Sequence, residues 1–152
     1  NLARLFHELT PQRQHLVEQA YVKASNTRSN ATFGRSIDLS LDGKSLIVGS
    51  TAESSAASGV NNTTPGQGDT SVANSGAAYV YALVNGAWTQ TAYLKSFTST
   101  TYASNFGASV AITNGAATVA VGGSTEPTTN AGINSSGGAT SAGGSGAAYT
   151  FK

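Results

Sequence analysis

Phe33-Gly34-Arg35-Ser36-Ile37-Asp38-Leu39 and Phe106-Gly107-Ala108-Ser109-Val110-Ala111-Ile112 are two versions of one phrase. Such self-similarity bears on architecture before any single element does, because a repeated sequence builds a repeated unit. The repetition continues downstream. Ser45-Leu46-Ile47-Val48-Gly49-Ser50 matches Thr118-Val119-Ala120-Val121-Gly122-Gly123, and Gly76-Ala77-Ala78-Tyr79 matches Gly146-Ala147-Ala148-Tyr149. A last phrase, Ala92-Tyr93-Leu94-Lys95-Ser96, has its counterpart ahead of the first copy, in Ala20-Tyr21-Val22-Lys23-Ala24.

Each unit reads as four strands. The first follows the Phe-Gly pair. Asp42-Gly43 and Asn114-Gly115 then supply dipeptides that tolerate the positive φ angles of a two-residue hairpin. The second strand ends at Gly49 or Gly122, and a long polar loop follows, 51–75 or 124–145. The third strand runs from Ala77 to Val84, closes at Asn85-Gly86, and leads to a fourth from Trp88 to Lys95. In the third strand Ala78, Val80 and Ala82 share one face, and Tyr79, Tyr81 and Leu83 the other. Neither face is polar, as expected of a strand covered on both sides.

The composition agrees with short strands joined by polar turns. Only 10% of the 152 residues are charged, against roughly 25% in an ordinary soluble domain. The apolar residues cluster in short runs rather than scatter, which argues against disorder. A net charge of +1 with dispersed Lys and Arg lacks the basic footprint of a nucleic-acid binder. No apolar run reaches the length of a membrane span. The absence of cysteine removes disulfides and thiolate metal sites. The chain opens on Asn1 rather than Met, and is expected to be a processed or excised product. Low charge and Ser/Thr/Asn-rich loops point to an extracellular or cell-surface location, of bacterial type.

The phrases Phe-Gly-x-Ser-(Ile/Val), (Leu/Val)-(Ile/Ala)-Val-Gly and Gly-Ala-Ala-Tyr together resemble the FG-GAP repeat, which builds the β-propeller of integrin α-subunits and of many bacterial surface proteins. Gln19-Ala20-Tyr21-Val22-Lys23-Ala24-Ser25-Asn26-Thr27 is similar to the inter-repeat segment of the bacterial members. The resemblance spans residues 15–152 and implies an all-β chain of two four-stranded antiparallel propeller blades. Many members carry an Asp-rich calcium loop between the first two strands. Here that position holds Ser40-Leu41-Asp42-Gly43-Lys44 and Thr113-Asn114-Gly115-Ala116. Ca²⁺ takes six to eight oxygens, several of them carboxylate, so calcium is not carried over and no cofactor is expected.

On this reading residues 1–14 are an N-terminal extension, 15–32 an outer strand and linker, 33–96 a first blade, and 97–152 a second blade without its outer strand. The segment from Leu16 to Ala24 is the matching orphan, with Leu16 in the place of Trp88 and Tyr21 in that of Tyr93. Two blades do not close a ring, because propellers hold four to eight, and an open strand is a template for another chain. Head-to-tail pairing is therefore expected, in a closed ring or an open filament. The interface would use Leu16, Val17, Ala20, Tyr21 and Val22 against Ala147, Tyr149 and Phe151. The alternative is a fragment of a longer propeller acting as an adhesin or ligand-binding domain.

Leu2, Leu5, Phe6 and Leu9 recur at helical spacing and predict a short N-terminal packing helix, with Thr10-Pro11 either a break or the N-cap and first position of another turn. The acids Glu8, Glu18, Asp38, Asp42, Glu53, Asp69 and Glu126 offer no pair spaced for acid–base work. Asp42 reads as a turn residue, and Asp38 as a strand residue facing a loop or solvent. His7 and His15 do not form a metal pair. Gly66-Gln67-Gly68 and Gly143-Gly144 lie in Ser/Thr loops, not between a strand and a helix, so a phosphate loop fails on context. No enzyme is expected. The aromatics at equivalent repeat positions read as core, whereas Tyr102 reads as exposed. Loops 51–75 and 124–145 are the candidates for contact with carbohydrate or a surface protein. Asn30, Asn61, Asn62 and Asn134 open candidate glycosylation triplets, a pattern that also arises by chance in such sequence.

Overall fold

A computed structural model describes residues 16–61, 66–98, 101–134 and 143–152. The expected N-terminal helix, with Leu2, Leu5, Phe6 and Leu9, lies outside the described residues, as do His7, His15 and Asn62. The fold is all-β. Its strands are β1 (Phe33–Leu39), β2 (Ser45–Ser50), β3 (Gly59–Val60), β4 (Ala77–Val84), β5 (Ala87–Lys95), β6 (Phe106–Ile112), β7 (Val119–Gly123) and β8 (Ala147–Phe151). They form two antiparallel sheets, ordered β1-β2-β4-β5-β3 and β6-β7-β8. The first sheet has one strand more than expected, because Gly59 and Val60 inside the long loop pair with Lys95 and Leu94.

The repeat reaches down to backbone detail. Both copies break register after the phenylalanine, between Phe33 and Ser36 and between Phe106 and Ser109. Gly34 and Gly107 hold nearly the same left-handed angle there, φ 93° and 91°. The hairpin at Asn85-Gly86 is the two-residue turn the sequence predicts, with φ 51° and 82° and Val84 opposite Ala87.

The other two turns are longer than two residues. Between β1 and β2, Ser40 N donates to Ser45 O, and only Gly43 of the Asp42-Gly43 pair takes a positive φ. Asp42 ties the turn instead. Its Oδ1 accepts from Ser40 Oγ at 2.6 Å and Lys44 N at 3.1 Å, which holds the carboxyl below the usual carboxylate range. In the second copy a 3-10 turn, Asn114–Ala116, replaces the hairpin, and positive φ falls on Gly115 and Ala116.

The alternation read in β4 sorts its residues into two cores. One face gives Tyr79 and Tyr81 to a cluster with Val48, Ala77 and Tyr93, covered by Ala24 and Val22 from the incoming chain. The other gives Ala78 and Val80, with Ile47 and Leu94, to a cluster with Phe106, Val119 and Val121 of the second sheet. Each large apolar side chain buried this way contributes roughly 1.5–3 kcal/mol. β4 is thus covered on both faces along Ala77–Tyr81.

Glycine sets the approach of the sheets. A Cβ on Gly107 would meet the backbone of Ala77 and Ser50, and one on Gly49 would meet the backbone of Gly107. Polar contacts fix the stack laterally. Ser36 Oγ donates to Gly107 O at 2.8 Å, and Ile112 N donates to Asp38 Oδ2 at 2.7 Å. Asp38 therefore faces the neighbouring sheet rather than a loop or solvent. The edge of β6 leaves a backbone N–H that its carboxylate can accept.

Candidate functional site

A closed polar knot lies where the first long loop leaves β2. Glu53 is 1% exposed, and its Oε2 accepts from Lys95 Nζ at 2.6 Å, with Lys95 itself 0% exposed. Ser55 N lies 3.1 Å from both carboxylate oxygens, and Asn26 Nδ2 donates to Oε1 at 3.1 Å. Lys95 Nζ also donates to Ser75 Oγ at 2.7 Å, and Ser75 Oγ reaches Ser55 O at 2.8 Å. Tyr79 closes the top, its hydroxyl donating to Asn26 Oδ1 at 2.6 Å. Burial pulls the Lys95 ammonium below its usual value, and Glu53 beside it works in the opposite direction. Burial, then Glu53, pushes the Tyr79 phenol far up. Sealed from solvent, the pair holds β5 to the loop and has no face to offer a substrate.

The second unit contains the same knot, incomplete. Glu126 is 1% exposed. Its Oε2 accepts from Thr128 N at 3.0 Å and Thr128 Oγ1 at 2.7 Å, the task Ser55 performs in the first copy. Gly146 N donates to Glu126 O at 3.0 Å, as Gly76 N does to Glu53 O at 2.9 Å. Ser145 Oγ donates to Glu126 O at 2.8 Å. The ring pair Phe106–Tyr149, with centroids 5.3 Å apart at 65°, repeats Phe33–Tyr79 at 5.4 Å and 68°. One part is missing. Glu126 Oε1 is buried with no hydrogen-bond partner among the described residues. Among the described residues β8 pairs only with β7, so its outer edge carries no ladder there.

The segment predicted as a strand, 16–24, forms no strand and has no ladder partner among the described residues. Leu16 is 92% exposed, Val17 71% and Tyr21 81%; Ala20 is exposed as well. Val22 is half-buried and packs on the first core, and Lys23 O accepts from Tyr81 Oη at 3.0 Å. An open groove of about 720 Å³ runs between this segment and Leu46 and Trp88. The other half of the predicted interface, Ala147, Tyr149 and Phe151, is half-buried on β8. The structure does not bring the two halves together within one chain.

The long loop 51–75 is largely committed to packing. Glu53, Ser55, Ala57 and Ser75 are buried, and Arg28 donates from two nitrogens to Asp69 O and Gln67 O. Asn30, Asn61 and Asn134 are exposed. Asn61 also has a structural task, since its Oδ1 accepts from Tyr93 N at 2.8 Å. Tyr102 is 36% exposed. Among the described residues no group of three His, Asp or Glu could hold a metal ion, and no helix is long and apolar enough to cross a membrane. No family model, no curated protein and no solved structure matches the chain.

Reading the acids as isolated missed both knots. The signal was present: Glu53 and Glu126 each stand a few residues past the second strand of their repeat, and Lys23 and Lys95 end the two related Tyr-x-Lys phrases.

Proposed function

We propose that the chain is a self-associating structural module, made of two FG-GAP-type β-propeller blades and exported to the cell exterior. Copies join head to tail: residues 16–24 of one add to β8 of the next as its fourth strand. One observation carries the reading. Among the described residues, an unladdered β8 edge and a segment without a strand partner, exposed from Leu16 to Tyr21, that repeats the phrase of β5 coexist in one chain. Strand addition satisfies backbone groups at an open edge and takes its specificity from alternate side chains. The contact is heterologous, so copies close into a ring or run on as a filament.

The glycines favour this arrangement too. Gly107 is packed against the first sheet, whereas Gly34, at the same repeat position, has nothing within 4 Å. It is left open for the second sheet of another copy.

Size-exclusion chromatography with light scattering over a range of concentrations tests the proposal. Species at multiples of 15.2 kDa are expected, with rings or fibres in negative stain. A particle that stays at the mass of one chain at the highest concentration would overturn it and favour a ligand-binding fragment.

A further inference from the structure

The incomplete knot names its missing part. A carboxylate oxygen sealed from water without a donor carries a desolvation cost that a buried cation or donor relieves. In the first unit the relief is Lys95, from the fourth strand. In the second unit the acid, the Ser145 hydroxyl and the overlying Tyr149 are all in place, and among the described residues no cation is.

We infer that Lys23 of one copy is the cation that completes the Glu126 site of the next, forming a buried intermolecular ion pair. The inference rests on the head-to-tail reading. Register supports it. Within the chain, Tyr93 pairs with Tyr79 and Leu94 with Ala78. Carried to the second unit by the repeat, this sets Tyr21 opposite Tyr149 and Val22 opposite Ala148, and Lys23 takes the place of Lys95. Its ammonium then reaches Glu126 and Ser145 Oγ as Lys95 reaches Glu53 and Ser75 Oγ. Tyr21, 81% exposed in the single chain, stacks on Tyr149 as Tyr93 stacks on Tyr79, at 5.3 Å. Lys23 is exposed, so a neighbouring copy can reach it.

The pair also sets the register of assembly. A one-residue slip turns every side chain of a strand to the other face, which would take Lys23 away from Glu126 and Tyr21 away from Tyr149.

Charge exchange between separately made full-length chains tests this. Lys23→Glu and Glu126→Lys each place like charges at the junction and are expected to raise the dissociation constant on the order of 100-fold or more. Mixing the two variants makes every junction complementary, one native and one reversed, so association should return on mixing alone. A Lys23→Glu chain that associates as tightly as the unaltered one overturns the ion pair but leaves head-to-tail joining intact. An unaltered chain that stays at 15.2 kDa overturns both. If Glu126→Lys fails to fold by circular dichroism, Lys23→Met decides the matter, since it removes the charge at an exposed position and keeps the stem. Lost association then supports the pair, and undiminished association overturns it.

Discussion

Lys95 Nζ lies 2.6 Å from Glu53 Oε2 with both side chains sealed from solvent, and these two residues join the last strand of the first unit to the loop that follows its second. Removing one partner of such a pair strands the other charge, at a cost of about 3–5 kcal/mol. Lys95→Met and Glu53→Leu are each expected to destabilise by that order in urea unfolding. The double variant should recover much of the loss, because two well-packed apolar groups replace a desolvated pair. Additive single losses in the cycle would show that the two do not act together.

Gly107 carries two constraints at once: a φ of 91° and a backbone wall where a Cβ would stand. Gly43 has only the first, φ 68° with nothing within 4 Å. Gly43→Ala is expected to cost about 1–2 kcal/mol, the strain of a left-handed residue. Gly107→Ala should cost distinctly more, because the sheets must part to admit the methyl. Equal losses in thermal unfolding would argue against close stacking at this point.

Asp38→Ala removes the acceptor of Ile112 N. With the acid gone, the N–H at the β6 edge loses a charge-assisted bond of about 1.5–3 kcal/mol. Asp38→Asn keeps an oxygen there and should retain part of the stability. If both variants unfold with the unaltered chain, the contact is not a fastening.

The buried tyrosines predict an alkaline limit. Burial raises the Tyr79 and Tyr93 phenols beyond their ordinary value, with Glu53 adding to the effect. Burial alone pushes Tyr81 up to about 12, and it raises Tyr149 as well. A raised acid is held protonated by the fold. Its stabilisation is complete below the unfolded value near 10 and declines as pH climbs above it. Absorbance and circular dichroism followed together should show these phenolates appearing only as sheet structure is lost. Their ionisation in a chain that keeps its circular dichroism would contradict the packing.

What the sequence disclosed and what it hid follow one physical division. Strand positions were legible because hydrophobic alternation and repeated phrases are local signals. The ends of β4 fall at Ala77 and Val84 as read, and its two faces enter two different cores. The turn at Asp42-Gly43 was misjudged because Asp42 binds the Ser40 hydroxyl and Lys44 N, an arrangement the dipeptide alone does not disclose. Asp38 was misplaced because its partner, Ile112, lies in the other repeat. Glu53 and Lys95 were missed for the same reason: a buried charge shows no local pattern, and only the comparison of the two copies reveals it.

A strand enclosed from both sides has no independent way to open. Backbone amides along Ala77–Tyr81, where every residue is buried, can reach deuterated solvent only if both cores give way together. Their exchange should therefore track global unfolding, while amides of the exposed stretch 16–21 should exchange at rates near those of an unstructured peptide. Slowing of the latter as protein concentration rises would register, amide by amide, the arrival of a neighbour.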